Sequence, residues 1–322
     1  MNARKLKQLR SALADFVEEL TPDLGRRDRR AWAETYIRGL LLDGQRKSIE
    51  PMARRLEEVD RATGDYEQSL QQFVNQSPWD ERAVRKRLTQ WVQRRMQGEA
   101  FLLIDGVAFP KKGDHSVGVK RQYCGTLGKV ANCQVSVTLQ VSAKQDVFAV
   151  DAELYLPKSW IEDSKRCRSA KIPNEIGYQP KWKLALSMIE RAREQGLSGT
   201  VLADSEFGSV TGFRKVLSDW GLHYAVGIDS TLSVVDADLD LGEVPPRQHR
   251  QGRTPTRTKA VVDGLPTFSV RQWALDHADD FRRVTWRQGT KGPMASRFAA
   301  WRVRAGHKVR AGRTPDEPVW LI

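Results

Sequence analysis

Between residues 132 and 143 the chain reads NCQVSVTLQVSA, and every second position is aliphatic. Val135, Val137, Leu139 and Val141 fall on one side; Gln134, Ser136, Thr138 and Gln140 fall on the other. A period of two is the signature of a half-buried strand and excludes an all-helical fold. Other extended runs stand near it. FLLID (101–105) is a short apolar segment ending in an acid before Gly106, and VFAVDAELYL (147–156) is a second. GTVLAD (199–204) again ends in an acid, and HYAVGID (223–229) follows a helical stretch, 208–221, closed by Gly221. Pro180 opens a helix with Trp182, Ala185, Leu186 and Ile189 on one stripe. Strands followed by strand–helix alternation predict an α/β or α+β core.

The first hundred residues carry the helical period instead. Asp28 is placed to cap a helix with apolar positions at Trp32, Tyr36, Ile37, Leu40 and Leu41. Ser48 opens a second helix after the polar turn GQRK, a weak likeness to a helix-turn-helix. Ser77, with Pro78 behind it, is read as the cap of a third, which carries Arg82, Arg85, Lys86, Arg87, Arg94 and Arg95. A solvated face and a DNA-contacting face are equally good accounts of those cations. Beyond residue 230 short strands separated by glycine-rich turns are expected, with a Pro/Arg/Thr-rich arm at 245–259. The domain division read from these shifts is 1–98, 99–230 and 231–322.

Charge divides the chain in a similar way. Lys and Arg number 53 and Asp and Glu 40, a net of +13. Residues 1–100 hold 20 basic and 16 acidic groups, 101–240 hold 17 and 17, and 241–322 hold 16 and 7. Basic ends around a neutral centre point to a polyanionic partner, most often nucleic acid. Cys124, Cys133 and Cys167 form no paired metal or disulfide spacing. No apolar run reaches bilayer length and no cleavable leader is evident, so the reducing cytoplasm is the expected compartment.

Asp105 and Asp204 each end an apolar strand segment, where open α/β sheets place ligands. A pair of carboxylates suits a hard divalent cation, and a lone one suits a strand-end turn; the residues by themselves leave both open. Lys111, Lys112, Lys120 and Arg121 stand near the first acid, and Arg253, Arg257 and Lys259 in the basic arm. All seven are candidate DNA contacts, with a solvated surface as the alternative. Gly128–Lys129 lacks a phosphate-loop pattern and reads as a hairpin turn. Trp286 and Trp301 lie among arginines, where base stacking competes with an ordinary core role.

Longer motifs carry a resemblance. GVKRQYCGTLGKVANCQVSV (118–137), YLPKSW (155–160) and RCRSAKIP (166–173) resemble the bacterial insertion-sequence transposases of the DDE superfamily, seven-zero-one branch. LQQFVNQSPWD (70–80), LLIDGVAFPKKGDHSVGV (102–119), VLADSEFG (201–208) and TWRQGTKGPMASRFAAWRVR (285–304) are similar to further segments of that family. The resemblance spans about residues 30–322. It implies a helical DNA-binding N-terminal domain, an RNase H-like mixed-sheet core and a β-rich insertion before the core's last helix. Asp105 matches the first catalytic aspartate and Asp204 the second. The third acid should be a glutamate on a late helix, and the sequence stops at Ile322 before one; Glu206 is read as a loop carboxylate beside the second acid. The resemblance also implies Mg²⁺ or Mn²⁺ as cofactor and double-stranded DNA, both transposon ends and target, as partner, with a homodimer as an option. The activity implied is cleavage and strand transfer. The alternative is a catalytically inactive, transposase-derived DNA-binding protein or regulator.

Overall fold

The computed structural model describes residues 3–61, 64–96, 98–144, 146–240, 267–290, 292–306 and 319–322. The chain divides into two compact units: Met1–Leu202 with Lys215–Ala225, and Ala203–Arg214 with Val226–Ile322. Arg253, Arg257 and Lys259, and the whole arm 245–259, lie outside the described residues.

The first unit opens with five helices: α1 (Ala3–Leu20), α2 (Arg27–Leu41), α3 (Ile49–Asp60), α4 (Tyr66–Asn75) and α5 (Glu81–Arg95). Their apolar stripes meet in two clusters, one around Val17, Leu24, Ala33 and Phe73, the other around Met52, Ala53, Leu56 and Leu70. Trp32 and Tyr36 pack against both, as their spacing predicts, whereas Leu40 and Leu41 stay exposed. Two helix starts differ from the sequence reading. Asp28 lies inside the first turn of α2, behind Arg26, where its charge still favours the helix dipole. The cap of α5 is Asp80, which accepts the Arg82 N–H at 2.8 Å, and Ser77–Pro78 precede it. Trp79 explains the shift: it stacks on Phe73 at 6.0 Å and donates to the Phe73 carbonyl at 3.3 Å, anchoring the residue before the cap on α4.

A six-stranded sheet follows, from β1 (Ala100–Pro110), β2 (Lys120–Cys124), β3 (Lys129–Ala143), β4 (Asp146–Leu154), β5 (Thr200–Ala203) and β6 (Tyr224–Val226). The order is β2-β3-β1-β5-β6, with β4 also on β3. At 15 residues β3 is long enough to pair β2 through 129–133 and β4 through 136–143, with β1 along its other side. These pairs are antiparallel. Between β5 and β6 the bonds Val201 N–H to His223 and Gly227 N–H to Ala203 advance together, the parallel pattern, so the sheet is mixed. The alternating row Val135, Val137, Leu139 and Val141 is buried, as its period requires. Each such side chain contributes about 1.5–3 kcal/mol by leaving water. Helix α6 (Lys158–Ile161) and helix α7 (Ser164–Ser169) come next. Then α8 (Lys181–Glu194), which opens after Pro180 as expected, lays Ala185, Met188 and Ile189 inward against β3.

The second unit contains α9 (Ser205–Gly208), β7 (Ser233–Asp236), β8 (Phe268–Ser269) and, after α10 (Thr211–Asp219) of the preceding crossover, α11 (Val270–Asp276). It continues with β9 (Arg282–Gly289), β10 (Gly292–Phe298), β11 (Trp301–Ala305) and β12 (Val319–Leu321). A four-stranded sheet, β12-β11-β7-β8, closes on Val234, Trp273, Val303 and Leu321, and β9–β10 form a separate hairpin. The architecture is therefore mixed α/β with N-terminal helices. Trp301 is structural: it donates to Asp280 at 2.7 Å and meets Phe281 edge-on. Trp286 is exposed on the hairpin beside Phe298.

Candidate active site

Asp105 stands in the middle of β1, not at a strand end. The run FLLID stops at the acid, but β3 supplies partners as far as Pro110, and Gly106 does not interrupt them. Leu102 and Ile104 point to the buried face, so Asp105 points to the other and is exposed. Its Oδ1 accepts the Gly106 N–H at 2.7 Å, and its backbone carbonyl accepts the Thr138 hydroxyl at 3.2 Å from the paired position on β3. No cation is paired with this carboxylate among the described residues.

Asp204 does end its strand. It follows β5 and caps α9, its Oδ1 accepting the Glu206 N–H at 3.0 Å. Local chemistry sets this turn. A Cβ on Gly208 would come within 1.9 Å of the Gly227 carbonyl oxygen, and one on Gly227 within 2.8 Å of the Ser205 nitrogen. Only two glycines allow that approach. Gly208→Ala should therefore displace the Asp204 turn and cost at least about 1–3 kcal/mol. Gly177→Ala, with no atom within 4 Å of its Cβ, should be near neutral. Urea midpoints of the two variants check this; equal midpoints would refute it. Glu206 is exposed in the first turn of α9.

The basic candidates near Asp105 are exposed. Lys111 and Lys112 follow β1, and Lys120 and Arg121 open β2. His115 is a fully exposed loop residue. Gly128 sits in the left-handed region at φ 62°, the hairpin turn its sequence predicts. Cys124 and Cys133 are buried beside Ala108 and Val135, and burial pushes the Cys133 thiol above its ordinary range.

The cations of α5 have another role. Arg85 pairs with Asp151, Arg87 with Asp23 and Arg94 with Glu19, while Arg95 lies 3.8 Å over the Trp91 ring. Trp91 in turn meets Phe148 of β4 edge-on. Most of this basic face is thus consumed in docking the helix onto its own unit. Sequence reasoning missed the centre of that docking. Asp151 and Glu153 project from β4 toward α5 and α8, where Arg191 adds bonds of 2.7 Å to Asp151 and 2.8 Å to Glu153. A cavity of about 550 Å³ adjoins them. Burial works against the Arg85 charge, but the Asp151 hydrogen bond and attraction outweigh it and hold the guanidinium above its ordinary range. Two acids two positions apart in the otherwise apolar run 147–154 were the available signal.

The donor chemistry of Asp105 and Asp204 fits a hard divalent cation: each is an exposed carboxylate with an oxygen that accepts a nearby backbone amide. Among the described residues, no three His, Cys, Asp or Glu side chains gather as a metal-holding group, and no helix is long and apolar enough to cross a membrane.

The comparisons with known proteins agree with the motif resemblance. The family described as DDE superfamily endonuclease matches residues 19–293. A protein of Microchaete diplosiphon named "Probable transposase for insertion sequence element IS701" is 31% identical over 202 residues. That match covers 62% of this chain and 48% of the other, so the chain aligns with about half the length of its relative. With the family match running through most of its 322 residues, the chain belongs to the DDE superfamily endonucleases.

Proposed function

We propose that this chain is an insertion-sequence transposase with an RNase H-like core, in which Asp105 and Asp204 hold divalent metal for cleavage and strand transfer of transposon-end DNA. The observation that carries the reading is the setting of each acid in a chain of this family: Asp105 stands exposed on β1, and Asp204 stands exposed directly after β5 as the cap of α9. Mg²⁺ or Mn²⁺, when bound, supplies a water of lowered pKa and charge neutralisation at a phosphodiester. The protein's part is to hold and orient. Asp105 offers its carboxylate from a strand hydrogen-bonded along its length, turned by the Gly106 amide, and Asp204 offers its own from a fixed helix cap. Hydrolysis at the transposon end leaves a 3′-hydroxyl, which then attacks target DNA. Glu206 is not assigned as a third acid.

The test is nicking of end-labelled insertion-sequence-end DNA by the full-length protein in Mg²⁺, with an EDTA control. A nick at the element boundary in Mg²⁺ alone is expected; DNA bound but left intact in both Mg²⁺ and Mn²⁺ would refute cleavage. Binding itself should weaken steeply with salt through counterion release. Deleting 245–259, which contains Arg247, Arg250, Arg253, Arg257 and Lys259, should weaken binding to every sequence. The slope of log affinity against log salt should fall by up to about 4. Anisotropy titrations at several salt concentrations measure both, and an unchanged slope would remove the arm from the interface.

A further inference from the structure

We propose that the sheet face bearing Asp105 also carries a platform for unpaired nucleotides, built from Phe109 and Tyr123 and rimmed by Lys111, Lys112 and Arg121. The proposal rests on the DNA reading above and specifies the form of DNA that this face accepts.

Register places these groups on one face. Asp105 is paired with Thr138, Phe109 with Gln134, Arg121 with Asn132 and Tyr123 with Val130. Paired residues project to the same side, and the four β3 partners are all even-numbered, so all four side chains share one face. The odd-numbered row of β3 forms the buried face. Phe109 lies four residues along β1 from Asp105, about 13 Å. On this open face Phe109 is 47% exposed and Tyr123 65%. Large aromatics left in water side by side with charges mark a surface that meets a partner.

Charge identifies the partner. Residues 107–133 contain five Lys and Arg against one carboxylate, Asp114. None of the five forms an ion pair with a described residue, in contrast to Arg85, Arg87 and Arg94 of α5. The loop 111–119 is also held in place. Asn132 donates its side-chain amide to the carbonyls of Lys111, at 3.3 Å, and Gly113, and Gln134 donates to that of Val117 at 2.5 Å. Both amides belong to the even-numbered row, so Lys111 and Lys112 are fastened on the Asp105 side. The turn after β2 is tied to β1 by the Thr126 hydroxyl on the Ala108 carbonyl, at 2.6 Å. Fixed cations suit phosphates, and exposed rings suit bases. Paired bases within a duplex have their faces covered by their neighbours, so these rings fit bases that have left the stack.

The experiment measures binding in EDTA, so that cleavage is not involved. One probe is a blunt duplex; the other is the same duplex with a four-nucleotide single-stranded 3′ tail containing 2-aminopurine. The wild-type protein should prefer the tailed probe and quench its fluorescence. Phe109→Ala and Tyr123→Ala should each weaken tailed binding about tenfold and blunt binding less than about twofold, in keeping with loss of one stacking partner. Tyr123→Trp should retain the preference, which a merely structural role would not predict. Lys111→Ala with Lys112→Ala should weaken both probes alike and lower the salt slope by about 2. Equal wild-type affinity for the two probes, or aromatic variants that weaken both equally, would overturn the platform. A protein that prefers tails but never nicks in Mg²⁺ would overturn the transposase reading and leave the platform standing.

Discussion

Asp105→Asn and Asp204→Asn should each lower Mg²⁺-dependent nicking by about a thousandfold or more, while metal-free DNA affinity stays within about threefold. A metal held by carboxylates supplies several kcal/mol of transition-state stabilisation, and each 1.36 kcal/mol is about tenfold in rate. The amide substitution removes charge and one hard donor with little else. Asn can still accept the Gly106 N–H at position 105 and the Glu206 N–H at position 204, the bonds that orient the two side chains. Both positions are exposed, so the fold should be indifferent. Affinity without metal should, if anything, rise, because each substitution removes a negative charge facing a polyanion. Single-turnover nicking beside anisotropy in EDTA separates the two effects. An Asn variant that cuts at the wild-type rate would remove that aspartate from the site.

The second large effect is expected on the face of the sheet opposite Asp105. Asp151→Ala should destabilise the protein by about 3 kcal/mol, toward the lower end for a broken buried ion pair. The carboxylate is only 9% exposed and receives Arg85 at 2.5 Å and Arg191 at 2.7 Å, from two helices packed on the same strand. Its removal leaves both guanidiniums facing the cavity beside β4, with Glu153 near both and Glu81 on Arg85 alone. The figure stays low because the two arginines are 27% and 39% exposed and can recover some hydration. For a unit of this size the midpoint of thermal unfolding should fall by roughly 6–12 °C. Asp151→Asn keeps an acceptor and should fall by less. A double-mutant cycle with Arg85→Ala tests the coupling: simple additivity would mean that Asp151 acts through something other than this pair.

How much was legible depended on how local the cause was. The buried row of β3 was, because strand alternation is written in consecutive residues. The place of Asp204 was, because strand end and helix cap are both decided within a few positions. Asp105 was found as an acid on a strand but placed at its end, since what extends β1 past Gly106 is β3, more than twenty residues away. The start of α5 was missed for the same reason: Trp79 is held by Phe73 of the preceding helix. The Arg85–Asp151 pair joins positions 66 apart, and no local pattern could tell it from a solvated or DNA-facing arginine. The assignment of Asp105 and Asp204 as a pair came from the long motifs, not from spacing.

The mid-strand position of Asp105 has a consequence for how such a sequence can change over time. Its exposure is a matter of parity: odd positions of β1 face outward from 101 to 109 and even ones inward. A one-residue slip in a strand turns every later side chain to the opposite face. Deleting or inserting a single codon between Ala100 and Ile104 should therefore be far more damaging than most replacements there, and a two-codon change should be the milder lesion. Asp204 is under no such rule, because its turn is set locally and the segment before β5 can absorb a change in length. Descendants of this gene should thus accumulate gaps upstream of the second acid and almost none just upstream of the first.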